Sequence, residues 1–117
     1  MRRSVGGEGK RIQRILADVD GDDLMAALHA WEAYLEERQV FPFEAVVSEH
    51  QERGPLQLGD RMKVLQVSAV DDLYGIIVHV GIGRRRYDFP LCGLEAVDKR
   101  SPQHQIVDDY RTWFANR

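Results

Sequence analysis

Cysteine is almost absent from this sequence of 117 residues: Cys92 stands alone, so no disulfide bond can form within the chain. A lone cysteine is typical of proteins kept in a reducing compartment, and we expect a cytoplasmic protein. No uncharged stretch approaches the roughly 18–20 apolar residues that a membrane-spanning helix needs. The first residues, Met1-Arg2-Arg3, are not followed by the apolar segment of a secretion signal. These absences argue against disulfide scaffolds and membrane proteins, and they predict a small soluble domain.

Patterns typical of catalysis are also missing. The four histidines are scattered, and no two lie at i, i+4 on one predicted helix, which disfavours a zinc centre. Ser48, Ser68 and Ser101 lie in no recognisable nucleophile elbow, and Cys92 is expected to act as a small buried hydrophobic residue. The glycines at 81 and 83 join two predicted strands instead of opening a helix, so a dinucleotide-binding loop is disfavoured. We therefore predict a protein that is not an enzyme.

Negative charge is concentrated in the middle of the chain, although the formal net charge is only −3. Residues 18–60 contain eleven Asp and Glu and only two Arg, whereas residues 1–17 contain five basic residues and one acidic residue. Carboxylates in such excess cannot all pair with neighbouring basic residues, so they need solvent, the basic ends of the chain or a bound cation. A solvated acidic face is the commoner explanation, and a metal site needs further support.

Two helices are predicted in the first third of the chain. Apolar residues at helical spacing predict a short helix from about Lys10, after a mobile tail at residues 1–9, and Gly21 is expected to end it. A longer helix is expected after Asp22 or Asp23, because either residue can cap it. Its apolar stripe consists of Leu24, Leu28, Trp31 and Leu35.

From Phe43 onward the pattern changes to that of strands, followed by a last helix. The predicted strands are residues 43–48, 60–68, 74–80, 84–89 and 94–97. Short strands with one long first loop and short later loops predict a small closed barrel of the SH3 type. A helix is expected at residues 102–115, with Ser101 as its cap. The predicted fold class is α+β, a five-stranded SH3-like barrel flanked by an N-terminal and a C-terminal helix. Residues 1–20 are expected to be a basic extension, and residues 21–117 a single domain.

The aspartates of residues 18–23 suggest a helix–loop–helix calcium motif, but two residues that this motif requires are missing. That motif needs Gly at its sixth position and Glu at its twelfth, and counting from Asp18 these positions hold Asp23 and His29. Aspartates also suit the start of a helix, where the helix dipole favours negative charge. We therefore predict a capping role for this segment.

A second acidic cluster lies around the first two predicted connections between strands. It consists of Glu44, Glu49, Glu52 and Asp60 around the first connection, and Asp71 and Asp72 in the second. In an SH3-type barrel these connections flank one groove, where converging carboxylates repel one another unless a cation neutralises them. Calcium suits such loops, because it takes about six to eight oxygen ligands in irregular geometry. The predicted ligands are Glu44, Glu49, Glu52, Asp71 and Asp72. The alternative is that Asp71 and Asp72 form a polar turn and that Glu49 and Glu52 are solvated.

The arginines Arg84, Arg85 and Arg86 follow Gly83 in a predicted hairpin. Because consecutive strand residues alternate between faces, the three side chains cannot form one dense basic patch by themselves. A solvated basic hairpin is the default interpretation. A contact with an acidic protein or with nucleic-acid phosphates, together with the basic N-terminal segment, is the alternative.

Several short runs resemble, in their order and spacing, the cyanobacterial calcium-binding protein family (CcbP). They are residues 41–45, 54–64, 74–76, 90–95 and 109–114. The resemblance implies a small cytosolic protein that sequesters Ca²⁺ and shapes calcium signals, with Glu49, Glu52, Asp71 and Asp72 as the matching ligand candidates. This chain has Gly93 where the resemblance leads us to expect an aspartate. If that aspartate contributes to the site, the affinity for Ca²⁺ is reduced here.

The sequence therefore favours a non-enzymatic protein that buffers or senses intracellular calcium through carboxylates of barrel loops. The alternative is an SH3-like interaction module that meets nucleic acid or an acidic protein through its basic N-terminal segment and the hairpin at residues 84–86. Acidic residues in two loops favour the first interpretation, and the clustered arginines favour the second. Of the two partners in the second, nucleic acid is the less expected, and no membrane partner is expected.

Overall fold

The computed structural model describes residues 7–50 and 54–117, and its elements confirm the predicted α+β class with helices towards both ends of the chain. The helices are α1 (Gly7–Ile15), α2 (Leu24–Glu37) and α3 (Pro102–Ala115). The strands are β1 (Phe43–Val47), β2 (Arg61–Asp71), β3 (Gly75–Ile82), β4 (Arg85–Pro90) and β5 (Leu94–Ala96), with a short 3₁₀ helix (Leu91–Gly93) between β4 and β5.

Side-chain caps set the starts of α2 and α3 where the sequence predicts them. The Asp23 carboxylate accepts a hydrogen bond from the Ala26 amide at 3.0 Å, and the Ser101 hydroxyl accepts one from the His104 amide at 3.1 Å. Each cap satisfies a backbone donor that the first helical turn leaves unpaired. The capping role predicted for the aspartate segment is therefore confirmed at Asp23.

Helix α1 differs from its prediction at both ends. It begins at Gly7, inside the segment expected to be a mobile tail, and it ends at Ile15 instead of near Gly21. Turns replace the last predicted turns of the helix, and the Asp20 carboxylate accepts a hydrogen bond from the Asp22 amide at 3.0 Å. Such a local bond competes with helical pairing. Residues 1–6 of the predicted tail lie outside the described residues.

The five strands form one antiparallel sheet in the order β4-β3-β2-β1-β5. Strands β4 and β5 are its two edges, and no pairing joins them in residues 7–50 and 54–117. Closure of the sheet into a barrel therefore stays a prediction. A further consequence of this order is that, within the described residues, β4 pairs with β3 alone.

Strand β2 extends beyond its predicted end at Ser68. The prediction stopped early because the register of the strand changes twice. The pairing with β3 shifts between Val64 and Gln66 and again between Val67 and Ala69. Each shift interrupts the alternation of buried and exposed side chains from which the strand was predicted, so the pattern breaks down after Ser68. The strand continues to Asp71, which pairs with Gly75 across a tight turn.

Aromatic side chains from α2 and α3 pack together in the core. Trp31 and Tyr110 are fully buried, with ring centroids 5.5 Å apart in an edge-to-face arrangement. The half-buried Trp113 lies 5.9 Å from Trp31, so α2 and α3 contact each other through these rings. In the described part of the chain, none of the helices is both long and apolar enough to cross a membrane.

Polar contacts fasten α3 to the sheet and to α1. The buried Tyr110 hydroxyl accepts a hydrogen bond from the Ile76 amide at 2.9 Å, and Arg111 Nε donates to the Cys92 carbonyl at 3.1 Å. Asp109, only 3% exposed, receives two hydrogen bonds from the Arg11 guanidinium at 2.7 and 3.0 Å. This bidentate pair joins α1 to α3 and so holds α1 against the rest of the fold.

A further polar contact of α3 predicts a pH effect. His104 Nε2 lies 3.0 Å from Glu95 Oε2, and this hydrogen bond lowers the pKa of Glu95 below its ordinary value. A carboxyl whose pKa is lowered by folding stabilises the protein above its unfolded-state pKa and loses that contribution as the pH falls through the folded-state value. Urea unfolding should show Glu95→Gln less stable than wild type at pH 6, by less than about 1 kcal/mol because the pair is partly exposed. The difference should vanish towards pH 3, and a difference that persists there would contradict this assignment.

Candidate metal centre

The loop after β1 and the turn after β2 meet at one hollow of about 210 Å³. Glu49 comes from the loop, whereas Leu73 and Tyr74 come from the turn. The remaining wall is formed by Phe89, Pro90, Cys92, Gly93 and Phe114. The two connections therefore flank a common space, to which the turn contributes Leu73 and Tyr74 and not the carboxylates of Asp71 and Asp72.

Asp71 and Asp72 have different surroundings within the turn. Asp71 Oδ2 accepts hydrogen bonds from the amides of Leu73 and Tyr74 at 2.8 and 2.7 Å, so this oxygen holds the turn closed. Its other oxygen, Oδ1, takes part in neither bond. Asp72 is exposed. The polar-turn interpretation is thus correct for one oxygen of Asp71, and three carboxylate oxygens of the pair remain for another partner.

Glu49 also borders a second hollow of about 600 Å³, which contains basic side chains from α3 and beyond it. Arg111 and Arg117 line this hollow together with Asp108. The Arg117 guanidinium lies 3.5 Å from the centroid of the Phe114 ring and donates to the Phe114 carbonyl. The space around Glu49 therefore carries charge of both signs.

Glu44 lies away from this hollow. Glu44 lies near the start of β1, opposite Lys63, and it borders a different hollow beside Asp98. The three residues of β1 that follow Glu44 span about 10 Å at roughly 3.3 Å per residue, which separates it from Glu49. Glu52 lies outside the described residues. Asp60, also in the acidic cluster, accepts a hydrogen bond from the Gln57 amide at 2.9 Å.

No three His, Cys, Asp or Glu side chains in residues 7–50 and 54–117 come together in a group that could hold a metal ion. Three histidines each lie beside a single carboxylate instead, at distances of 3.0–3.2 Å. These pairs are His29–Glu32, His79–Asp88 and His104–Glu95.

The donor atoms at the first hollow suit a hard cation. Burial, and secondarily the charge of Glu49, raises the pKa of the Cys92 thiol, so the thiol stays protonated near neutral pH. Only thiolates bind soft metal ions well, which leaves carboxylate and carbonyl oxygens as the ligands on offer. Oxygen donors of this kind are what Ca²⁺ prefers. The residues present fit a calcium ion in chemistry, while Arg111 and Arg117 oppose it in charge.

Sequence reasoning missed these two arginines. No local pattern reveals that α3 and the residues after it lie beside the loop of Glu49, because only tertiary packing brings them there.

Gly75, the first residue of β3, packs closely against α3. Its backbone has a φ of +77°, and the Tyr110 hydroxyl and Phe114 ring fill the space where a side chain would begin. Glycine is thus required at position 75, because Tyr110 and Phe114 leave no room for a larger residue.

A family model described as calcium binding, Calci_bind_CcbP, matches residues 10–114. The match includes most of α1 and therefore extends beyond the runs that carry the resemblance. No protein with curated annotation matches the sequence.

Two solved structures resemble the fold. The crystal structure of Anabaena CcbP is 24% identical, with a TM-score of 0.71, over 98% of this chain and 94% of that one. A calcium binding protein in the calcium-binding form is 23% identical, with a TM-score of 0.71, over 99% of this chain and 97% of that one. At such identities these two structures show a shared fold.

Proposed function

Because this chain belongs to the CcbP family of calcium-binding proteins, we propose that it binds Ca²⁺ where the loop after β1 meets the turn after β2. The observation that carries the proposal is the shared hollow between Glu49 and the turn that begins at Asp71. We further propose that the protein buffers or senses calcium in the cytoplasm and catalyses no reaction. The Glu49 carboxylate in the wall of this hollow supports calcium binding, because Ca²⁺ takes oxygen ligands. The one thiol in the wall, Cys92, has a raised pKa, which disfavours a role as a nucleophile.

The proposed ligands are the carboxylates of Glu49, Asp71 and Asp72, with Glu52 from the same loop as Glu49. Asp71 Oδ2 already serves the turn, so Asp71 contributes through Oδ1. Asp72 is exposed and can rotate towards an ion without breaking a bond of the fold. A divalent cation placed between them offsets the repulsion among these carboxylates, and backbone carbonyls or water complete its shell.

Calorimetric titration with Ca²⁺ in excess Mg²⁺ tests the site. Asp72→Asn and Glu49→Gln preserve shape and delete one negative charge each, so each should weaken binding roughly tenfold, the factor that about 1.4 kcal/mol represents. The two losses should not add in the double variant, because both residues act through one ion. Without calcium, Asp72→Asn should be at least as stable as wild type, since it relieves repulsion that the ion otherwise offsets.

Matched variants in the other acidic segments serve as controls. Asp20→Asn and Asp22→Asn remove the same charge before α2 and should leave calcium affinity unchanged. Glu44→Gln and Glu52→Gln test whether the two remaining predicted residues are ligands. A site at this hollow predicts weaker calcium binding for Glu52→Gln and unchanged binding for Glu44→Gln. Dominant effects at Asp20 or Asp22 would move the site to the segment before α2. If every variant changes calcium affinity by the same small amount, the acidic cluster is a solvated acidic face and not a metal site.

A further inference from the structure

Strand β4 has an open edge. In the described residues β3 is its only partner, and the two are joined by a two-residue turn at Gly83 and Arg84. Gly83 has a φ of +58°, as expected for the first central residue of a type II′ turn. In such a hairpin Ile82 and Arg85 form a hydrogen-bonded pair, so the backbone N–H and C=O groups of Arg86 and Asp88 point away from β3.

These outward groups are accessible. Arg85, Arg86 and Asp88 are exposed, and in residues 7–50 and 54–117 no backbone hydrogen bond reaches β4 from any element except β3. The donors and acceptors of this edge therefore form a row that another extended chain can pair with. Pairing of this kind supplies affinity through the main chain, while alternate side chains supply specificity.

Basic side chains surround this edge without carboxylate partners. Lys63, Gly81 and Arg86 lie opposite one another on three adjacent strands. The Arg86 side chain lies over Gly81, where its Nη1 donates to the Gly83 and Arg85 carbonyls at 3.0 Å each. No Asp or Glu oxygen of the described residues lies within 4.0 Å of a charged nitrogen of five exposed basic residues. These are Arg61, Lys63, Arg84, Arg85 and Arg86. The sheet register thus gathers cations that consecutive sequence positions alone would separate.

We propose that β4 is the docking edge for an extended acidic peptide segment of a partner protein. The peptide adds as a sixth strand beside β4, and its main chain pairs with Arg86 and Asp88. Carboxylates on alternate residues of the peptide meet the hairpin arginines, which have no carboxylate within 4.0 Å in the described residues. The pattern disfavours nucleic acid. Exposed Asp88 and Glu44 interrupt the basic face that a continuous phosphate backbone would follow, and the large exposed apolar side chains of the described residues, including Tyr74, lie on other elements.

The test uses the full chain and a fluorescein-labelled peptide of alternating Glu and Thr, followed by fluorescence anisotropy at low salt. Two further peptides carry N-methyl groups on one or the other alternate set of amides. We expect the unmodified peptide to bind and one methylated set, the one that faces β4, to bind at least about tenfold more weakly. The other set should bind like the unmodified peptide. Arg86→Gln should weaken binding several-fold, whereas Arg100→Gln, at an exposed arginine before α3, should not.

Three results would overturn the proposal. They are the absence of peptide binding, equal binding by all three peptides, and duplex DNA binding that Arg86→Gln weakens while the peptide does not bind. The first two exclude strand addition, and the third assigns the face to nucleic acid. Thermal unfolding of both arginine variants confirms that they are folded. Calcium affinity plays no part in any of these readouts, so the outcome is independent of the proposed calcium site.

Discussion

Trp31→Ala should lower the free energy of unfolding by about 3–5 kcal/mol, the usual cost of deleting a large buried aromatic side chain. Trp31 is fully buried between α2 and α3, and its ring packs on Tyr110 and Trp113. In a domain of this size one such ring accounts for a large part of the buried apolar surface. The cavity left behind cannot collapse easily, because the neighbouring rings are themselves held by α3.

Urea unfolding followed by circular dichroism measures this effect without relying on tryptophan fluorescence. Trp31→Phe is the matched control, because it keeps an aromatic ring and removes an indole N–H that has no hydrogen-bond partner in the described residues. It should cost clearly less than the alanine variant. Leu58→Ala, at a side chain 59% exposed, should change stability by less than about 0.5 kcal/mol. A loss below about 1 kcal/mol for Trp31→Ala would show that the interior packs in another way.

Gly75→Ala should destabilise the protein by about 2–5 kcal/mol, for two separable reasons. The φ of +77° costs a residue with a side chain about 1–2 kcal/mol. The new methyl group would also meet the Tyr110 hydroxyl and lie 2.7 Å from the Phe114 ring, and overpacking of that kind costs about 1–3 kcal/mol. Any displacement of Tyr110 further weakens its hydrogen bond with the Ile76 amide.

Gly59→Ala separates the two contributions. Gly59 has a φ of +90° with no atom within 4 Å of the added methyl group, so it should show the backbone cost alone. The difference between the two variants then measures the clash with α3. Equal losses would mean that Tyr110 and Phe114 yield freely, and the close fit of the turn against α3 would be contradicted. Differential scanning calorimetry of both variants provides the measurement.

The sequence predicted helices α2 and α3 well because their signals are local. Asp23 and Ser101 are caps within a few residues of the amides they satisfy, and the apolar stripe of α2 repeats at helical spacing. The end of α1 was wrong because hydrogen bonds of Asp20 form a turn that apolar spacing does not reveal. The end of β2 was missed because register shifts interrupt its alternation.

The candidate site was less predictable, since it depends on contacts between distant segments. Charge counting drew attention to Glu49 and Asp72, but it treated Glu44 as equivalent to Glu49, although about 10 Å of strand separates them. Charge counting also could not show that Arg111 and Arg117 lie beside Glu49. The local sequence predicts the helix α3, but it does not show which other segments of the chain this helix contacts. The ligand roles of Glu44 and Glu52 stay predictions that calorimetry decides.

The pairing of Arg11 with Asp109 has a consequence for the order in which the chain folds. Their positions are 98 residues apart, so the pair cannot form on a ribosome until nearly all of these residues have been synthesised. Closing so long a loop costs conformational entropy that only cooperative packing repays. Trp31 likewise must wait for Tyr110 before its surroundings are complete. During synthesis α1 and α2 therefore remain without these partners until the residues of α3 have been made.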